Sequence, residues 1–97
     1  MAILNFKNKA TRDIAEGINS KVAQRILPSS LHLSARMRLN ILNSADSLQG
    51  LSLPGFRLER LKGDRKGQYS IRVNSQYRIC FLWDAQNASD VEIVDCH

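Results

Sequence analysis

Tyr69, Ile71 and Val73 place an apolar or aromatic residue at every second position, and Tyr77, Ile79, Phe81 and Trp83 repeat the pattern after Asn74-Ser75-Gln76. A period of two demands extended strands with one buried face, and a short polar segment between two such runs demands a hairpin. Loop length then sets the register. A two-residue loop of Asn74 and Ser75 would pair Arg72 with Tyr77 and Ile71 with Arg78, mixing polar and apolar residues on both faces. A three-residue loop pairs Val73 with Tyr77, Ile71 with Ile79 and Tyr69 with Phe81, which leaves one face wholly apolar. The hydrophobic pattern selects the three-residue loop.

That register has a consequence on the second face. Arg72 falls directly opposite Arg78, with Ser70 opposite Cys80 beside them. Like charges facing each other across strands destabilise a sheet by a few tenths to about 1 kcal/mol. Two arrangements compensate: a bound anion, for which a phosphate diester suits the wider basic cluster, or an internal acid such as Glu92, which alternates onto the face away from Val91 and Ile93.

Val91 and Ile93 mark a third strand of the same antiparallel sheet, and a further strand is expected near Arg57 to Leu61. Before Leu53-Pro54-Gly55 the period is helical instead. Ile3 to Phe6 forms a short first strand. Asn8 is suited to cap a first helix carrying Ala10, Ile14 and Ile18. Pro28-Ser29-Ser30 breaks the chain before a long helix from about Leu31 to Leu48. Ala35, Leu39 and Leu42 form one apolar row of this helix and Met37, Ile41 and Ala45 the next, and Gly50 closes it. Two N-terminal helices packed on one face of a small twisted antiparallel sheet make an α+β fold. The 97 residues suffice for one core, so residues 1–97 are read as a single domain.

An apolar fraction of 43% excludes a disordered chain. No apolar run approaches the roughly 20 residues of a membrane helix, and MAILNFKNK is too short for a secretory signal. A cytoplasmic protein without membrane association is expected, with Cys80 and Cys96 kept reduced. His32 and His97 lie far apart and no Cys/His cluster has ligand spacing, so no metal or other cofactor is expected. GDRKG, Gly63 to Gly67, lacks the Lys-Ser/Thr of a nucleotide-binding loop and reads as a glycine-bounded hairpin displaying Arg65 and Lys66. Trp83 is assigned to the core and His32 to a structural or surface role.

Charge is more informative. The net charge is +5, and Arg57, Arg60, Lys62, Arg65, Lys66, Arg72 and Arg78 face only Glu59 and Asp64 within their stretch. From Asp84 onward there are four acids and no Lys or Arg. A concentrated basic segment points to a polyanionic partner, nucleic acid foremost.

RLERLKGDRKGQYSIRVNSQYRICFLW, followed by VEIVDCH, resembles the HigB branch of the RelE/ParE toxin superfamily, the killer proteins of bacterial plasmid-maintenance pairs. The resemblance spans the chain and is tightest from Leu53 to His97. It implies two helices against a curved antiparallel sheet and a type II toxin that cleaves mRNA in the ribosome. A helix-turn-helix antitoxin neutralises such a toxin, and operator DNA is reached only through the antitoxin complex. By the same resemblance Lys62, Arg78, Asp95 and His97 are the catalytic positions. Arg57, Arg60, Arg65, Lys66 and Arg72 are assigned to RNA binding from the basic cluster. Glu59 stands where some relatives carry histidine, and Cys96 where tyrosine is typical, so their roles stay open.

Cleavage of this kind lets an RNA 2′-hydroxyl attack its own 3′-phosphate. It needs a base at the 2′-oxygen, cations on the phosphate and an acid at the leaving oxygen. Strict alternation places Asp95 and His97 on the face opposite Glu92 and Cys96, so a common cleft requires the chain end to twist. Two other functions compete: a non-nucleolytic toxin of the same superfamily that poisons DNA gyrase, and a basic nucleic-acid-binding domain without toxicity.

Overall fold

The computed structural model describes residues 2–95, so Cys96 and His97 lie outside the described residues. Helix α1 covers Lys9–Glu16, and the Asn8 side chain caps it by accepting from the Thr11 N–H at 2.8 Å. Gly17 ends it. With φ at 78° it donates to the Ile14 carbonyl, while the Ile18 N–H reaches back to the Asp13 carbonyl. Such a left-handed stop leaves Ile18 outside the helix and 48% exposed, against the expected continuation of the apolar row.

A helix that the apolar pattern does not mark follows, α2, Lys21–Ile26, making three α-helices among the described residues rather than two. Six residues are too few to show a period, but their cap is explicit. The Ser20 hydroxyl accepts from the Ala23 N–H and donates to Asp13 Oδ2 at 2.6 Å, which also receives Lys9 Nζ at 2.6 Å. These two partners hold the buried Asp13 carboxyl below its ordinary pKa. The far end of α2 is capped by buried His32, whose Nε2 lies 2.8 Å from the Leu27 carbonyl and 3.2 Å from that of Ala23. His32 is thus a structural tie between α2 and the next helix.

Helix α3 runs His32–Ser44, shorter than the expected segment to Leu48. The carbonyl of Asn43 accepts from the Ala2 N–H and its side chain from the Ile3 N–H, so the last turn is taken up by the N-terminal segment. Ala45 is extended, and Gly50 sits in a separate turn, Leu48–Leu51, rather than at the helix end. Ala35, Leu39 and Leu42 are buried as expected, whereas Met37 of the adjoining row is 56% exposed.

Among the described residues four strands form one antiparallel sheet in sequential order: β1 Glu59–Arg60, β2 Gln68–Arg72, β3 Tyr77–Asp84 and β4 Asn87–Asp95. Between β2 and β3 the register is the one the apolar pattern selects, with Ile71 opposite Ile79 and Tyr69 opposite Phe81. Asn74 secures the loop by accepting from the N–H groups of Gln76 and Tyr77. Between β3 and β4 a bulge shifts the register between Cys80 and Leu82, with Asp90 at φ 49°. The extra residue changes the phase of β4, so that Ala88 and then Val91 and Ile93 are all buried. The expected strand Ile3 to Phe6 reduces to two isolated parallel bridges to β4, Ile3 to Ala88 and Phe6 to Val91. Asn5 spans the interval by pairing reciprocally with bulged Asp90.

The helices cover the face carrying Ile71, Ile79, Phe81 and Ile93, and together with Ile14, Leu27, Leu39 and Leu51 these make the core. Trp83 is partly buried against Phe81 in an edge contact. Ser70, Arg72, Arg78, Cys80 and Glu92 are thereby left on the second face.

Candidate functional site

Arg72 and Arg78 do stand opposite each other, as the register requires. Their repulsion is reduced because the Arg78 side chain turns along β2 towards β1. Its Nε donates to Ser70 Oγ at 2.7 Å, its Nη2 to the Arg57 carbonyl at 2.6 Å, and its Nη1 lies 3.8 Å from Glu59 Oε1. Only 13% of the side chain is exposed. Arg72 is partly exposed on this face and lines a pocket beside Arg78.

These two arginines line a shallow pocket of about 230 Å³ with Arg57, Asn74 and Ser75. Three guanidinium groups, an amide and a hydroxyl supply donors, and no carboxylate is among the lining residues. Such a donor set suits an oxyanion, and guanidinium binds phosphate oxygens in bidentate fashion. Glu59 stands at the rim, paired across the strands with Ser70 and with 58% of its side chain exposed.

The backbone beneath the pocket is held from both sides. Phe56 is buried and its carbonyl accepts from the Arg72 N–H at 2.6 Å. The Arg72 carbonyl in turn accepts from Arg38 Nε at 2.7 Å, and the Arg38 guanidinium lies over the Phe56 ring at 5.1 Å. Helix α3 thus fixes the end of β2 where Arg72 projects.

The other basic positions divide. Arg57, Arg60, Lys62 and Lys66 are exposed. Lys62 precedes the turn Gly63–Arg65, at the β1 side of the sheet. Arg65 is not displayed by the GDRKG hairpin: it folds back so that Nη1 reaches Glu92 Oε1 at 2.7 Å and Gln68 Oε1 at 3.1 Å. Glu92 also lies 3.5 Å from Lys7 Nζ. The acid able to neutralise the Arg72/Arg78 pair therefore serves Arg65 and Lys7 instead, and of the two compensations open from the pattern, the one by Glu92 falls away.

Asp95 pairs in register with Tyr77, which puts it on the Tyr77 face and not on the face of Arg78. Its carboxylate accepts from Gln76 Nε2 at 3.0 Å. Among the described residues no group of three His, Cys, Asp or Glu side chains is placed to hold a metal ion. The sequence patterns miss the Ser70 hydroxyl and the Arg57 carbonyl that hold Arg78, as well as Asn74 and Ser75 of the pocket lining. Ser70 has a weak signal, a small polar residue amid strand-forming neighbours, and a backbone carbonyl has none.

Comparison with known proteins adds to this geometry. Residues 5–97 match the family model described as the RelE-like toxin of the type II toxin–antitoxin system HigB. The chain is also 40% identical over 81 residues to Toxin HigB-1 of Vibrio cholerae serotype O1, an alignment covering 82% of each protein.

Proposed function

The chain belongs to the HigB-like family of RelE-like toxins, with an antitoxin as its partner, and from that premise we propose that it is an endoribonuclease cleaving mRNA on the ribosome. The observation that carries this is the pocket of Arg57, Arg72 and Arg78, three cationic side chains with the Glu59 carboxylate 3.8 Å from Arg78 beside them. A substrate bearing a phosphate diester supplies the missing charge. Ribosome-bound mRNA places the work in the cytoplasm, where a helix-turn-helix antitoxin would neutralise the toxin and bring it to operator DNA.

The residues divide the reaction. Arg78, with Arg72 and Lys62, stabilises the phosphorane as negative charge builds on its oxygens. Glu59, 3.8 Å from Arg78, is the carboxylate at this rim and accepts the 2′-hydroxyl proton. The 2′-oxygen then bonds to phosphorus, the bond to the 5′-oxygen breaks, and a 2′,3′-cyclic phosphate and a 5′-hydroxyl result. His97, outside the described residues, is assigned to proton transfer at the leaving oxygen, and Asp95, on the Tyr77 face, to orienting it rather than to contact with the RNA. Arg60 and Lys66 extend the cationic surface along the RNA backbone.

Purified protein added to programmed ribosomes, followed by primer extension on the mRNA, tests the reaction. Cuts at a fixed position within the codon in the A site are expected. Intact mRNA accompanied by gyrase–DNA cleavage complexes would refute the assignment and favour gyrase poisoning.

A further inference from the structure

The Arg78 side chain is held in a fork, and the fork is built from groups with no evident role elsewhere. Ser70 is fully buried in the middle of β2, a place where β-branched residues pack better and where a hydroxyl is costly unless paired. Its Oγ accepts from Arg78 Nε at 2.7 Å, and its own carbonyl lies 3.4 Å from Nη2. The second prong is the Arg57 carbonyl, 2.6 Å from Nη2.

Arg57 adopts φ 45°, a left-handed conformation that non-glycine residues seldom take and that persists only where the surroundings impose it. The imposition is visible. Phe56 is buried and bonded through its carbonyl to the Arg72 N–H, and the next carbonyl, that of Arg57, goes to Arg78. Successive carbonyls of one segment therefore secure the end of β2 and the guanidinium on β3. Among the described residues Nη1 makes no hydrogen bond, and its near neighbour is Glu59 at 3.8 Å. One edge of the guanidinium is thus fixed by the protein, and Nη1 faces the exposed Glu59 carboxylate on the side from which a ligand would approach.

We infer that Ser70 is a positioning residue that, with the Arg57 carbonyl, locks the Arg78 guanidinium in the orientation that receives the scissile phosphate. The contact itself stands on the geometry, and its catalytic consequence rests on the ribonuclease reading above. An arginine free to rotate would have to be ordered during each turnover, whereas a locked one is preorganised for the transition state.

Two measurements test this. In the first, the Arg78 Nε–Hε resonance is followed by NMR in the intact protein. Slow solvent exchange is expected in the wild type, and exchange at least about tenfold faster in Ser70→Ala, since the bonded Nε–H loses its acceptor. Arg57→Gly keeps the carbonyl and removes the left-handed cost, so Arg78 should remain slowly exchanging in it. In the second, cleavage on programmed ribosomes should show kcat reduced about tenfold in Ser70→Ala with KM unchanged, as expected for an interaction that matters in the transition state. Unchanged Hε exchange in Ser70→Ala, fast exchange in Arg57→Gly, or a loss confined to KM would overturn the inference. Absence of cleavage by the wild type would refute the ribonuclease reading instead, and the exchange data would still decide whether Ser70 holds Arg78.

Discussion

On the proposed reading, replacing Arg78 with alanine should separate catalysis from folding, because the side chain would serve both to different extents. Three hydrogen bonds from a charged donor are lost, two short ones to Ser70 Oγ and the Arg57 carbonyl and a long one to the Ser70 carbonyl. Bonds of this kind contribute about 1.5–3 kcal/mol each when well formed, but water can reach the vacated site and solvate the freed acceptors. Relief of the Arg72/Arg78 repulsion returns up to about 1 kcal/mol. The net destabilisation should be about 1–3 kcal/mol, which lowers Tm by roughly 4–8 °C per kcal/mol for a chain of this size. A typical stability of about 5–15 kcal/mol leaves the variant folded. Cleavage should suffer far more, by about 10²–10³-fold, because a preorganised cation is removed from developing charge. Thermal unfolding by circular dichroism and cleavage of mRNA on programmed ribosomes measure the two effects on one preparation. A folded Arg78→Ala protein that cleaves within a few-fold of the wild-type rate would refute the role of Arg78.

Other outcomes follow from the same geometry. Affinity for ribosomes or single-stranded RNA should fall steeply with salt through counterion release, and Arg72→Ala should flatten a log–log plot by about one counterion's worth of slope; a plot already flat in the wild type would mean an ordinary solvated surface. Leu39→Ala, at a position 1% exposed between α3 and the sheet, should cost about 2–5 kcal/mol in denaturant unfolding. Because folding lowers the Asp13 pKa, its contribution is fully present above the unfolded value near 4 and is lost as pH falls through the lower folded value. Acid titration of stability should therefore show the gap between wild type and Asp13→Asn closing below about pH 4, and a gap that persists unchanged would contradict the ion pair with Lys9.

The β2/β3 hairpin and its register were legible because both are local. Pairing across a three-residue loop involves residues close in the chain, from Gln68 with Leu82 inwards, and an alternating pattern tolerates only one register without placing arginine in the core. The Arg72/Arg78 confrontation followed from that register with no further information. Asn8 as a cap and the buried row Ala35, Leu39, Leu42 were legible on the same ground, a few residues acting on their immediate neighbours. Membership of the toxin family was legible through the spacing of whole motifs and is supported by the family match.

What the chain order concealed depends on segments far apart. α3 stops at Ser44 because Asn43 bonds to residues about forty positions earlier, a contact that no helical propensity near Ser44 can register. Glu92 turned to Lys7 and Arg65 rather than to the facing arginines, since the N-terminal segment lies along β4 and the GDRKG turn folds over the sheet. The fork around Arg78 needs Arg57 to arrive from the loop before β1 in a left-handed conformation, and it is assembled from a backbone oxygen whose side chain carries no sign of it. Alternation can say which face a side chain occupies. Only the packed chain decides which partner, acid, hydroxyl or carbonyl, comes to meet it there, because that depends on loop paths set by core burial at distant positions.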